Sequence, residues 1–114
     1  MARIAFWITA GPDQADKALA GLRLAERLAT GRQQDVKVFL YGPGVRLAAT
    51  DRPDIAEALT ALRSGAIPVQ ACPFNVKQQG VDTETVTAVG VNIDQPAGEV
   101  LIQLVEDGYQ VIGV

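Results

Sequence analysis

The chain contains no histidine and only one cysteine, Cys72. Without histidine there is no Ser-His or Cys-His nucleophilic pair. One cysteine with no histidine cannot assemble a zinc shell, so no metal centre is expected. A lone cysteine also cannot form a disulfide within the chain, which fits a reducing, cytoplasmic setting. Basic clusters are missing too, and the formal net charge is −3. Nucleic acid needs a clustered positive patch, so it is not an expected partner. No apolar stretch approaches the roughly 18 uninterrupted residues of a membrane span. The opening "MARIAFWITAG" has one arginine and no signal-peptide cleavage region, and reads as a first strand. The chemistry that remains belongs to one thiol, carboxylates, lysines and backbone amides, and no cofactor is called for.

What is present is apolar. Hydrophobic residues make up 48% of 114 residues, while aromatics make up 5%. This length is one domain, 1–114, with a modest core. The apolar fraction exceeds what that core takes up, which points to a partner surface. A second copy of the chain is the expected occupant, since closed homo-oligomers are the common case.

Short apolar runs alternate with helical patterns. "RIAFWITAG" (Arg3–Gly11) reads as a buried strand stopped by Gly-Pro, with Trp7 in the core. Ala15, Ala18, Leu19, Leu22, Ala25, Leu28 and Ala29 then recur at helical spacing up to Gly31. Asp13 reads as the N-cap of that helix. "VKVFLYG" (Val36–Gly42) is a second strand, followed by a short helical turn near Gly44–Ala48 and a main helix that starts at Pro53, with Asp51 before it and Gly65 after it. Asp51, Asp54 and Glu57 read as solvated charges at its start. "IPVQAC" (Ile67–Cys72) is strand three and "PFNVKQQG" a short helix. A helical segment then leads to a fourth strand at about Val89–Ile93. "QPAGEVLIQLVEDG" is a helix and "YQVIGV" the last strand. Such alternation predicts an α/β three-layer sandwich, with a mainly parallel sheet of five strands and helices on both faces.

In open parallel sheets, ligands sit outside the carboxyl ends of the strands. Three loops reach that edge here: "TAGPD", "YGPGVR" and "ACPFNVK". Gly11 lies in the first, Tyr41, Gly42 and Gly44 in the second, and Cys72 and Lys77 in the third. "YGPG" fails as G-x-G-x-x-G because Leu47 stands at the third glycine position, though its amides could still approach an anion. "TAGPD" offers one hydroxyl and a proline, a poor phosphate cradle. Two readings of Cys72 stand side by side. It could be a small apolar filler, since free cysteine is among the most buried residue types. It could also be a nucleophile, because Pro73 suits a first helical position and a helix start favours the thiolate. Lys77 is five residues on and does not share the helical face of Cys72.

"RIAFWITAGPDQADKALAGLRLAERL", "DVKVFLYGPGVRLA", "VQACPFNVKQQG" and "VEDGYQVIGV", taken in order, resemble the DsrE/DsrF-like proteins. The resemblance runs over essentially the full chain. It implies a five-stranded parallel α/β sandwich of flavodoxin-like topology, assembled as homo- or hetero-oligomers, often trimers and hexamers. Better-understood members carry sulfur as a persulfide on one cysteine in the loop after a central strand. Cys72 matches that position, with Pro73 and Phe74 departing from the small or polar neighbours of sulfur-carrying members. The expectation is therefore a sulfur-relay protein with Cys72 as its reactive residue and Gly11, Tyr41, Gly42, Gly44 and Lys77 as its anion-binding surroundings. Its partners would be itself, as a trimer or hexamer, and sulfur donor and acceptor proteins. The alternative is a non-catalytic oligomeric module that binds a small ligand or protein at the same edge.

Overall fold

Ile4, Phe6 and Ile8 alternate with Ala5 and Trp7 along β1 (Arg3–Ile8), so a single strand carries two apolar faces. Strand β2 (Asp35–Leu40) repeats the pattern, with Val36, Val38 and Leu40 on one face and Lys37 and Phe39 on the other. The computed structural model, which describes Met1–Val114 throughout, pairs both with β3 (Val69–Ala71) and β4 (Gln110–Gly113). All pairings are parallel, in the order β3-β2-β1-β4. No helix is long and apolar enough to cross a membrane.

That order explains the layers. Helices α1 (Ala15–Glu26) and α2 (Pro53–Ser64) connect strands that step outward in one direction. The chain then reverses and returns to the far side of β1 through α5 (Ala97–Glu106). A parallel crossover is right-handed in nearly all cases, so reversing direction moves the connecting helix to the opposite face. The α1 and α2 face holds a cluster of 23 buried residues, including Phe6, Ile8, Leu22, Leu40, Ile55 and Leu62. The α5 face holds only Ala5, Phe39, Cys72, Val100 and Leu104, with Trp7, Ala97 and Tyr109 packed alongside. The short helices α3 (Pro73–Gln78) and α4 (Thr83–Ala88) send Val76 and Val86 into the larger cluster.

Several expectations need correction. The sheet has four strands rather than five, because the segment at Val89–Ile93 pairs at one residue. Asn92 donates to Val69 O at 3.0 Å and accepts from Ala71 N–H at 2.9 Å. Gly90, at φ +86°, turns the chain just before it. Just after it, Asn92 Oδ1 accepts from the Asp94 N–H at 2.8 Å and bends the chain away from the sheet. The order also differs from a flavodoxin-like 2-1-3-4-5, since β1 lies between β2 and the last strand. The first helix is preceded by a 3-10 turn, Pro12–Gln14, and Asp13 lies inside that turn without capping anything. Its carboxylate accepts from Arg46 Nη2 at 3.2 Å instead. Trp7 is only half-buried, stacked on Phe39 with ring centroids 4.4 Å apart on the thinly covered face.

Tyr109 leads into β4 and helps to seat it. The Lys37 ammonium lies 4.9 Å from its ring centroid. Burial, helped by the neighbouring Asp35 carboxylate, pushes its phenol from 10.0 up to about 12. A group whose folded pKa exceeds its unfolded value holds its proton longer in the folded state. The stability this phenol contributes is complete below pH 10.0 and is lost as pH climbs toward about 12. In a Tyr41→Phe background, phenolate absorbance should titrate near 12 in the folded protein and near 10 in denaturant, and Asp35→Asn should lower the folded midpoint.

Candidate functional site

The carboxyl ends of β1, β2 and β3 feed three loops that pack against one another. The chain leaves β2 at Tyr41 and coils into a 3-10 helix over Gly42–Ala49. Gly44 lies so close to β1 that a Cβ there would sit 2.1 Å from Ile8 O, so only glycine lets the two loops meet. Gly11 faces the same turn, with Pro43 O 2.8 Å from where its Cβ would be. These glycines are packing devices, which is a different role from an anion cradle.

The amides of "YGPG" are already used. Tyr41 N–H donates to Ile8 O at 2.9 Å and Gly44 N–H donates to Tyr41 O at 3.0 Å. Gly42, at φ +56°, donates to Asn75 Oδ1 at 2.8 Å. Pro43 has no N–H to offer. The expected amide cradle therefore does not form. Asn75 is the residue that pattern reading missed, and it ties the loop after β2 to the helix after β3. Its Nδ2 donates onward to Gln78 Oε1 at 2.9 Å. The only sequence signal for it was an asparagine in the first turn of a helix behind a proline.

Cys72 stands between β3 and α3, with its N–H donating to Leu40 O at 3.2 Å and its carbonyl accepting from Val76 N–H at 3.0 Å. Its backbone is extended, at φ −72° and ψ 119°, and Pro73 takes the first helical position as expected. The side chain points to the α5 face, among Ala5, Phe39, Val100 and Leu104, and the residue is only 3% exposed. Lys77 is exposed and joins no ion pair. The structure thus brings Gly11, Gly42 and Gly44 together with Asn75, places Cys72 on the opposite face of the sheet, and leaves Lys77 in solvent.

Two hollows flank this region. One, of about 330 Å³, is lined by Trp7, Tyr41, Ala97, Gly98 and Leu101 beside the cover of Cys72. The other, of about 600 Å³, has Pro12, Arg46, Thr50, Asp51, Asp82 and Thr85 among its walls. Cys72 lines neither. The crevice between β1 and β4, where the strand order reverses, is tied shut. Val114 O accepts from Thr9 N–H at 2.8 Å, from Thr9 Oγ1 at 3.0 Å and from Ala10 N–H at 3.4 Å.

The profile of the DsrE/DsrF-like family matches residues 2–114. The chain belongs to that family. Solved structures agree at the level of fold. The ychN protein of E. coli superposes with a TM-score of 0.81 at 20% identity, covering 100% of both chains. A conserved protein of unknown function from Bacteroides thetaiotaomicron gives 0.79 at 18% identity, covering 96% of this chain and 94% of its own. A protein of unknown function from Methanobacterium thermoautotrophicum gives 0.72 at 14% identity, with 100% of both chains covered. No curated protein matches the chain by sequence.

In this DsrE/DsrF-like chain the Asn75 bridge should be felt in stability. Asn75→Ala leaves the partly buried Gly42 N–H unpaired, which costs about 1–3 kcal/mol. Asn75→Asp keeps the acceptor and should retain most of that. Denaturant midpoints of the two variants against the parent check it.

Proposed function

We propose that this DsrE/DsrF-like chain accepts a sulfane sulfur on Cys72 and passes it to an acceptor protein. The observation that carries the reading is the place of its only thiol, at the carboxyl end of β3 and directly before α3, in a chain matched from end to end by the family. The transfer needs one thiolate and no histidine. The Cys72 thiolate attacks the outer sulfur of a donor persulfide. A new sulfur–sulfur bond forms at Cys72, the donor's sulfur–sulfur bond breaks, and the donor leaves as a thiolate. No second cysteine exists in the chain to attack the product and release it. Because Ala97, Val100 and Leu104 of α5 belong to the cover of the thiol, loading requires the first turns of α5 to lift.

A second reading is favoured by one observation, the burial of Cys72 among apolar side chains. Here the thiol is filler, and the chain is a binding module that uses the groove between Trp7, Tyr41 and Leu101. Intact-mass measurement separates the two. Incubated with a persulfide donor, the protein should gain one sulfur atom per chain, and Cys72→Ser should gain none. A small alkylating reagent that labels native Cys72 while the donor adds nothing would remove the relay reading. Failure of both to react before unfolding would leave the binding module.

Under both readings the α5 face meets a second copy. Leu101, Ile102 and Val105 are exposed on a helix whose Val100 and Leu104 are buried, so α5 is apolar nearly all round. Light scattering should give the mass of a trimer or hexamer, against 12.1 kDa for one chain. Ile102→Glu with Val105→Glu should lower that mass without changing the helix content.

A further inference from the structure

The two edges of the sheet are finished differently. Beyond β3, the Asn92 bridge, its turn onto Asp94 and then Pro96 close the edge against further pairing. Beyond β4 nothing does. Strand β4 is exposed along its whole length and carries no proline, no bulge and no charged side chain. Natural sheets use those devices to stop edge-to-edge pairing, so an edge with none of them is open to a strand.

The free backbone groups of β4 can be assigned. Val114 donates to Trp7 O at 2.9 Å and accepts from Thr9 N–H at 2.8 Å, so its polar groups face β1. Successive residues of a strand present these groups to alternate sides. Gln110 and Ile112 therefore also face β1, and the N–H and C=O groups of Val111 and Gly113 point outward with no partner. Ile112, 42% exposed, lies on the face of Phe6, its register partner in β1, and Val111, 36% exposed, on the face of Ala5. Helix α1 adds to the first of these faces. Its Gly21 rests on Val114, and one turn further along the same stripe Leu24 is 45% exposed.

We propose that β4 pairs antiparallel with β4 of a second copy about a two-fold axis at Ile112. In that register Val111 stands opposite Gly113 of the partner and Gly113 opposite the partner's Val111. In an antiparallel ladder, directly opposed residues of the outward set exchange both hydrogen bonds. Every outward N–H of one copy thus finds an outward C=O of the other. Ile112 meets its own counterpart at the close, non-hydrogen-bonded position, with the Leu24 side chains beside it. Each copy has a net charge of −3 yet brings no charged side chain between Tyr109 and Val114, so the side chains of the paired strands meet without like-charge repulsion. A second copy carries the same bare strand, so one two-fold contact closes both open edges at once and leaves neither exposed.

The test uses the full chain. Wild type should have a mass that is an even multiple of 12.1 kDa. Val111→Pro removes an outward N–H and leaves the bonds to β1 in place, as proline is tolerated on an edge strand when its missing donor faces solvent. It should halve the mass, and so should Ile112→Lys, with circular dichroism unchanged. A monomeric or odd-multiple mass for wild type, or a folded Val111→Pro variant of unchanged mass, overturns the proposal. Hydrogen exchange on wild type gives a readout that needs no variant. The Val111 and Gly113 amides should be protected as strongly as that of Val114, and fast exchange at both overturns the proposal even if neither variant folds. A trimeric wild type would overturn this edge pairing while leaving the α5 contact intact.

Discussion

The chain reverses direction once across its sheet, and most of the molecule follows from that reversal. Stepping outward from β1 to β3, right-handed crossovers lay α1 and α2 on one face. Returning past β1 to β4, the same handedness sends α5 to the other face, where it has no companion helix. One side therefore acquires a deep core and the other a thin one. The thin side has to hold Trp7, Phe39 and Tyr41 with one helix over part of its width. Trp7 stacks on Phe39 there and stays half-buried.

Cys72 inherits its environment from this arrangement. Its place before α3 puts it at the carboxyl edge of the sheet, while the period-two alternation of β3 turns its side chain toward α5. Val69 and Ala71 go to the thick core, and the next residue in the alternation goes to the thin one. The thiol thus lies across the sheet from the packed side chains of Ala10, Val45 and Leu47, while Tyr41, which opens the loop after β2, stays on its side beside Trp7. Helix α5 covers Cys72 and also carries the exposed Leu101, Ile102 and Val105.

The loops after β1 and β2 do a different job. Gly44 and Gly11 allow close backbone contact, and Asn75 joins the assembly to α3. Every amide that could have held an anion at "YGPG" is consumed in building the loop. Glycine-rich sequence at a strand's carboxyl end has two physical uses, reaching a ligand and reaching another loop. The pattern of residues is the same for both, so only contact distances tell them apart.

Local rules were enough for much of the fold. The apolar runs and glycine stops placed β1, β2, α2 and α3 within a few residues of where they lie, and Pro73 marked the start of α3. The order of the segments along the chain carried the family resemblance, because α/β alternation and loop spacing are properties of the chain taken in sequence. Three things lay beyond it. The fifth strand shrank to Asn92, because a side chain of that residue bonded the backbone two positions on and outcompeted the ladder. The order of the strands came from handedness acting across the whole sheet, which no window of residues contains. The face taken by Cys72 depended on where β3 begins its alternation, and a shift of one residue there would have turned the thiol into the opposite core. Sequence thus determined most of the strands and helices, since periodicity is local. Tertiary structure alone decided which side of the sheet each chemical group reaches, since that depends on register and crossover direction between segments far apart in the chain.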